Sequence, residues 1–186
     1  LSLFKMSTKK IAVTLSFDGD LNNKINLSWK ILDKEFNINY LSKNNCRPHI
    51  TLYAGEIKER NIKEMKDLLK KLKLKKFQLK SPGIAVFAEK KPNLFIRWEN
   101  NFTLRKYRKI IKDKLKKFII NENTFTKDKI WIPRSSIAYK DINYEDIGKI
   151  RKKLNFLFKK QLVNINNILL IDYSKKEKIR SKINLI

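Results

Sequence analysis

Residues 47–55 read RPHITLYAG, and residues 132–140 read IPRSSIAYK. Both segments share one frame, in which a proline is followed by a histidine or arginine, one spacer, a hydroxyl residue and then apolar residues. The first segment carries His49, the only histidine of the chain, and the second carries Arg134 at the corresponding position. The segments begin 85 residues apart (132 − 47) in a chain of 186 residues. Because this separation is close to half of the chain length, the repeat predicts a protein built from two similar halves.

The strand period predicts which side chains of each segment share a face. Side chains alternate along a β-strand, so every second residue points to the same side of the sheet. In the first segment, the side chains expected on one face are those of His49, Thr51 and Tyr53. In the second segment, they are those of Arg134, Ser136 and Ala138. If the halves pack around a pseudo-twofold axis, these two faces line opposite walls of one groove, across a space sized for a phosphate.

Hydrophobic periodicity gives the order of the other elements. Strands are predicted at residues 11–17, 49–54, 77–80, 84–88, 94–98, 135–139, 165–173 and 179–185. Helices are predicted at residues 21–36, 62–72, 104–118 and 147–157. This order predicts a single α+β domain over residues 1–186, with intertwined lobes and a flexible segment at residues 1–9.

The charge of the chain indicates the class of partner. Lysine and arginine total 44 against 18 acidic residues, which gives a formal net charge of +26 and a pI of about 10.1. An excess of this size repels itself unless a polyanion is near, and it favours nucleic acid, RNA more than DNA. Lysine-rich codon bias and ordinary solvated helix faces are the alternative explanations, and an anionic membrane surface is the weaker alternative partner.

Composition excludes several other classes. The chain has one cysteine, Cys46, and one histidine, so an internal disulfide and a dedicated transition-metal site are excluded, and no cofactor is predicted. No apolar run reaches the roughly 18 residues that a membrane span needs. These features predict a soluble protein of a reducing compartment, either the cytoplasm or the mitochondrion. The sequence begins at Leu1, which fits a processed N-terminus, a sequence that starts late, or initiation at Met6.

The two segments resemble the paired motifs of the 2H phosphoesterase superfamily, which includes 2′-5′ RNA ligase-like proteins and RNA cyclic phosphodiesterases. Members carry two His-x-Thr/Ser motifs, one in each lobe of a bilobal α+β fold, often preceded by proline. The resemblance implies two pseudo-twofold-related antiparallel sheets, with outer helices, around a central groove. It implies that His49 is a catalytic histidine and that Thr51 and Ser136 contact phosphate through their hydroxyl groups. Arg134 then stands where the family has its second histidine.

Arg134 decides between two functions. Cleaving a phosphodiester without metal needs one group to take a proton and another to give one, and histidine serves both roles because its pKa lies near neutrality. Arginine stays protonated, so it binds phosphate but does not exchange the proton. The favoured hypothesis is an RNA-binding pseudoenzyme that holds RNA or a phosphate end, as a subunit of a ribonucleoprotein such as a ribosome or its organellar counterpart. The alternative is an active RNA 2′-5′ or 2′,3′-cyclic phosphodiesterase with His49 as acid/base and Arg134 stabilising charge on the phosphate.

Plainer interpretations of the same residues stay open. Tyr53 can stack on an RNA base, but a strand tyrosine more often belongs to the core or its rim. Arg134 can be an ordinary surface arginine, and Thr51 and Ser136 can be ordinary strand residues. A third function is a basic α+β domain that contacts only proteins or membranes.

Overall fold

The computed structural model describes residues 7–17 and 19–186, which form two antiparallel sheets and flanking helices. The strands are β1 (Thr8–Phe17), β2 (His49–Lys58), β3 (Phe77–Ser81), β4 (Gly83–Phe87), β5 (Asn93–Arg97), β6 (Ile119–Glu122), β7 (Arg134–Ala138), β8 (Gln161–Asp172) and β9 (Lys178–Asn184). The α-helices are α1 (Asp20–Phe36), α2 (Tyr40–Lys43), α3 (Ile62–Lys71), α4 (Phe102–Leu115) and α5 (Tyr144–Leu154).

The sheets differ in size. The larger sheet has the strand order β3-β8-β1-β2-β6, and β9 also pairs with β8. The smaller sheet has the order β4-β5-β7. All of these pairings are antiparallel. The predicted α+β fold with two antiparallel sheets is therefore confirmed.

The chain crosses between the sheets, so each lobe is covered by a helix that follows a strand of the other lobe. Helix α1 follows β1 of the larger sheet but contacts β7 of the smaller sheet and α5. Helix α4 follows β5 of the smaller sheet but contacts β2 of the larger sheet and α3. This exchange places the two motif strands, β2 and β7, in the middle of the molecule, where they contact each other.

One hydrophobic cluster contains side chains from both sheets. At its centre, Phe17 of the larger sheet contacts Trp98, which follows β5 of the smaller sheet, with ring centroids 5.2 Å apart. Trp98 is 1% exposed, and its indole N–H donates to the hydroxyl oxygen of Ser135 at 2.9 Å. Burying a large apolar side chain contributes roughly 1.5–3 kcal/mol, so these contacts fix the two sheets against each other.

Three features differ from the sequence-based expectations. The short strand β6 lies in a stretch that was not predicted to be extended, and the short helix α2 lies in a stretch that was not predicted to be helical. Strand β6 approaches β2 closely at Gly55, where an added Cβ would lie 2.5 Å from the Asn121 carbonyl oxygen. Thr8 and Lys9, which fall in the segment expected to be flexible, pair with β2 as part of β1. Residues 1–6 of that segment lie outside the described residues.

Candidate functional site

A groove with a volume of about 460 Å³ opens where β2 and β7 meet. The motif residues that line it are His49, Thr51, Arg134 and Ser136. The structure thus brings the two repeated segments to one groove, as the repeat predicts. The roles of the four side chains stay predictions.

Both motif strands carry a β-bulge at the same place in the repeat. Along the β1–β2 pair, Thr51 is opposite Thr14 and Tyr53 is opposite Val13, so Leu52 is the extra residue. Along the β5–β7 pair, the register shifts between the partners of Ser136 and Ala138, so Ile137 is the extra residue. A bulge inserts one residue into one strand and re-aims the side chains that follow it. The bulge therefore follows the hydroxyl residue in each half.

The bulge places a different residue in the groove from the one that strict alternation predicts. After the bulge, Ala54 lines the groove in the first half and Tyr139 lines it in the second. Tyr53, expected beside His49, is 3% exposed and belongs to the hydrophobic core, with the Lys112 ammonium of α4 5.5 Å from its ring centre. Ala138 is also in the core. The expectation that Tyr53 faces the groove is wrong, and the plainer interpretation of a core tyrosine describes its position.

His49 is held in one tautomer. Its Nδ1 lies 2.6 Å from the carbonyl oxygen of Arg47. A carbonyl oxygen can only accept, so Nδ1 carries the hydrogen and Nε2 keeps its lone pair when the ring is neutral. Nε2 has no hydrogen-bond partner among the described residues. Burial lowers the pKa of His49 below its usual value, and the bond to Arg47 partly offsets this. In its neutral form the ring therefore offers Nε2 as a proton acceptor.

Strand β2 is hydrogen-bonded to the segment that leads into β7. The indole N–H of Trp131 donates to the backbone carbonyl of Thr51 at 2.8 Å, and Trp131 itself lines the groove. The guanidinium of Arg108 lies over the Trp131 ring, 4.4 Å from its centre. A buried hydrogen bond of this kind contributes about 0.5–1.5 kcal/mol, and the stacked arginine adds to it. These contacts fix the spacing between the two walls.

Arg134 lies in a cage of phenyl rings. Its guanidinium carbon is 4.8, 5.8 and 5.9 Å from the ring centres of three phenylalanines, Phe125, Phe95 and Phe87. Nη1 is buried without a hydrogen-bond partner, and no carboxylate among the described residues forms an ion pair with the side chain. Burial lowers the pKa of Arg134, while the charge of Glu89 raises it. Aromatic faces attract a cation but offer no acceptor for its N–H groups, so Nη1 remains unsatisfied among the described residues.

The rest of the groove lining is strongly basic. The other basic side chains that line it are Lys10, Arg47, Lys140 and Lys175. The Lys140 ammonium donates to the Tyr40 hydroxyl at 2.8 Å, which raises the pKa of Lys140. Among the described lining residues Glu177 is the one carboxylic acid, and burial raises its pKa to about 7. The groove is therefore suited to an anion.

Sequence reasoning missed several lining residues. Tyr139 and Lys140 end the second repeated segment, but without the bulge nothing assigned them to the groove. Glu177 comes from the turn between β8 and β9, and no motif marks it. Only the tertiary structure joins this turn to the first motif.

Residues 7–17 and 19–186 contain neither a candidate metal site nor a helix suited to spanning a membrane. In these ranges no three His, Cys, Asp or Glu side chains are grouped so that they could hold a metal ion. None of the helices in the same ranges has the length and apolar character needed to cross a membrane.

Solved structures share this fold. The E. coli LigT protein with 3′-AMP superposes with a TM-score of 0.61 at 10% identity, over 96% of this chain and 99% of LigT. TT0787 of Thermus thermophilus gives a TM-score of 0.59 at 12% identity, over 95% and 97% of the two chains. A structure described as a phosphoesterase gives 0.56 at 9% identity, over 96% and 99%. No protein-family model and no curated protein sequence matches this chain.

The chain therefore has the LigT-like 2H phosphoesterase fold along nearly its whole length. At about one residue in ten identical, the likeness concerns the fold.

Proposed function

We propose that this protein binds RNA in the groove, at a phosphate or cyclic-phosphate end, with little or no catalysis. The observation that carries the proposal is Arg134, a permanent cation at the groove with a buried, unpaired Nη1 and no ion pair among the described residues. A phosphate group supplies a negative charge together with acceptor oxygens, which the phenyl cage does not. The preformed cage holds the guanidinium in place before the ligand arrives, which lowers the entropic cost of binding.

His49 and Thr51 of the opposite wall, together with Ser136 of the Arg134 strand, complete the proposed phosphate site. His49 offers Nε2, and Thr51 and Ser136 offer half-buried hydroxyls without protein partners among the described residues. A hydroxyl can donate to a phosphate oxygen, and His49 donates from Nε2 once it is protonated. The surrounding lysines add an attraction that falls as salt concentration rises.

The neighbours support a nucleotide or phosphate as the ligand class. LigT of E. coli was crystallised with 3′-AMP and with phosphate, at TM-scores of 0.61 and 0.54 to this chain. The net charge of +26 fits RNA as the larger ligand, and it also fits a subunit of a ribonucleoprotein such as a ribosome or its organellar counterpart.

The second candidate function is an active 2′-5′ or 2′,3′-cyclic RNA phosphodiesterase. The free Nε2 of His49 favours it, because a neutral imidazole can take the proton from an attacking water. Water then bonds to phosphorus, a phosphorus–ribose oxygen bond breaks, and the departing oxygen needs a proton. Arg134 stabilises the charge on phosphate but does not give that proton. A general acid is worth about 10²–10⁴-fold in rate, so binding is favoured over turnover.

The deciding experiment measures turnover and binding in parallel. The purified protein is incubated with an oligoribonucleotide that ends in a 2′,3′-cyclic phosphate and, separately, with 2′-5′ oligoadenylate. We expect no turnover above background. We expect RNA binding that weakens with salt and that weakens by about 10- to 100-fold in Arg134→Ala, because a hydrogen bond to a charged group is worth about 1.5–3 kcal/mol. Efficient turnover that His49→Ala abolishes would overturn the proposal in favour of the enzyme.

Arg151→Ala is the matched control for loss of one arginine charge. Arg151 lies on the exposed surface of α5. Its removal changes only the diffuse attraction and should weaken binding far less than Arg134→Ala. Equal losses in the two variants would show that RNA binds the basic surface and not the groove.

A further inference from the structure

Glu177 is attached to the segment that leads into the first motif. Its Oε1 accepts a hydrogen bond from the backbone N–H of Arg47 at 3.1 Å, and its own backbone N–H donates to the Asn44 carbonyl at 2.9 Å. The Cys46 thiol also hydrogen-bonds its carboxyl group. Glu177 forms no ion pair within 4.0 Å among the described residues. Its contacts to this segment are therefore hydrogen bonds to a backbone and a neutral thiol.

Arg47 links Glu177 to His49. The N–H of Arg47 donates to Glu177, and the carbonyl of the same residue accepts the Nδ1–H of His49 at 2.6 Å. Because both contacts use the backbone of one residue, a shift of that backbone moves the acceptor that fixes the imidazole tautomer. Glu177 is thus connected through the backbone of a single residue, Arg47, to the histidine that the proposed function uses.

We propose that Glu177 is a positioning residue for His49: it holds the Arg47 backbone so that Nε2 stays unpaired and, once the ring is protonated, donates to a phosphodiester oxygen, and its negative charge opposes binding of that phosphodiester. The first half of this proposal concerns the protein alone, and the second half rests on the proposed function. A carboxylate in an otherwise basic anion groove repels a phosphodiester, whereas a carboxylic acid does not.

The charged groups around Glu177 come from several elements. The positive groups that line the groove with it are Lys10 of β1, Arg47 before β2, Lys140 after β7 and Lys175 of its own turn. Burial raises the pKa of the Cys46 thiol to about 12, so this neighbour stays protonated. Burial raises the pKa of Glu177 to about 7, with the Arg47 N–H and charge acting in the opposite direction. Glu177 therefore changes charge near neutral pH, and His49 changes charge below its usual value of 6.5.

The single histidine makes the positioning role directly measurable. In protein labelled with ¹⁵N in the histidine ring, two signals report which ring nitrogen carries the hydrogen and at what pH the ring titrates. We expect the Nδ1–H tautomer in the wild type and in Glu177→Gln, whose side-chain oxygen still accepts from Arg47. We expect a mixture with the Nε2–H tautomer in Glu177→Ala. An unchanged Nδ1–H tautomer in folded Glu177→Ala would overturn the positioning role.

The pH curve of the same signals tests the charge and needs no alanine variant. The wild-type His49 shifts should show a second inflection near pH 7, from ionisation of the neighbouring carboxyl group. Glu177→Gln should lack this inflection and should leave the His49 titration itself nearly unchanged, because Glu177 is already largely protonated in the pH range where His49 titrates. An inflection that persists in Glu177→Gln would assign it to another group and overturn the proposal.

Binding of a fluorescent four-nucleotide RNA tests whether the Glu177 charge opposes the phosphodiester. Phosphodiesters do not titrate between pH 5.5 and 8.5, so a change of affinity in this range comes from the protein. We expect the wild type and Glu177→Gln to bind equally at pH 5.5, and the wild type to bind about three- to tenfold more weakly than Glu177→Gln at pH 8.5. Equal affinity at pH 8.5 would overturn the role of the charge. Absence of binding by both proteins at every pH would overturn the proposed function, while the ligand-free histidine signals still decide the positioning role.

Discussion

The two motif strands have the same backbone and opposite chemistry. In β2 the motif side chain is His49, whose Nδ1 donates to the Arg47 carbonyl. In β7 it is Arg134, a cation whose Nη1 has no hydrogen-bond partner among the described residues and whose surroundings are phenyl rings. A tryptophan N–H fixes each strand, from Trp131 to the Thr51 carbonyl and from Trp98 to the Ser135 hydroxyl. The comparison teaches that the symmetry of the fold can persist while one half offers proton exchange and the other offers only charge.

Arg134→His is the variant that would make the halves chemically alike. If the side chain is the main difference, the variant should cleave a 2′,3′-cyclic-phosphate oligoribonucleotide about 10²-fold or more faster than the wild type, because a second proton-exchanging group is present. Burial at this position disfavours a charged imidazole, so the rate should rise as pH falls towards 6. The measurement is kcat/KM as a function of pH.

Arg134→Gln is the control, since it removes the same charge without adding a titrating ring. It should stay inactive. If Arg134→His is folded and no faster than Arg134→Gln, the halves differ in more than this side chain.

The variant Arg134→Met separates the effect of the arginine on protein stability from its effect on RNA binding. Methionine fills the phenyl cage without an unpaired donor, and an unsatisfied buried polar group costs about 1–3 kcal/mol, so the free energy of unfolding should rise by about 1 kcal/mol. RNA affinity should fall by about 10- to 100-fold, because the charged hydrogen bonds to phosphate are lost. Urea unfolding and RNA titration measure the two effects. A loss of stability would mean that the cage stabilises the cation more than its desolvation costs.

Adjacent serines in β7 should respond in opposite ways. Ser135 is buried and accepts from Trp98, so Ser135→Ala leaves the indole N–H unpaired and should lower the free energy of unfolding by about 1–3 kcal/mol. Ser136 lines the groove, so Ser136→Ala should change stability little and weaken RNA binding by several-fold. Urea unfolding and RNA titration of both variants give the comparison. Equal stabilities for the two variants would contradict the structure.

The smallest expected effect is a pH dependence of stability from His49. Its folded-state pKa lies below the unfolded value of 6.5, so it contributes stability above about pH 6.5 that is lost as pH falls through the folded-state pKa. Glu177 acts in the opposite direction, since its raised pKa contributes stability below about pH 4.5 that is lost as pH rises to about 7. The useful quantity is therefore the difference in unfolding free energy between wild type and His49→Gln at pH 5, 6, 7 and 8. A difference that does not vary with pH would contradict the burial of His49.

Much of the fold could be read from apolar periodicity, because most strands and helices bury one continuous face. The strand β6 could not, since its four residues are Ile-Ile-Asn-Glu and it is extended only because it pairs with β2 at Gly55. The groove could be predicted from the repeat, which brings His49 and Arg134 together. Tyr53 could not be placed, because a bulge depends on pairing with another strand and leaves the sequence pattern unchanged.

The remaining site residues depend on contacts across the chain. Glu177 lies 130 residues from Arg47, its hydrogen-bond partner, and shares no motif with it. The cage around Arg134 draws on β4, on β5 and on the short 3₁₀ helix Thr124–Thr126 after β6. Neither feature has a local signal in the sequence, because each is created by the way the two lobes pack.

The shared bulge has a consequence for how this site can change over time. In both halves the groove positions fall at offsets 0, 2 and 5, at residues 49, 51 and 54 and at residues 134, 136 and 139. Because each bulge adds one residue, the side chains after it alternate out of step with the motif side chains before it. Substitutions at core positions after the bulge can therefore repack the core without turning the motif side chains away from the groove. Each half can therefore change in chemistry while the architecture that presents it stays fixed.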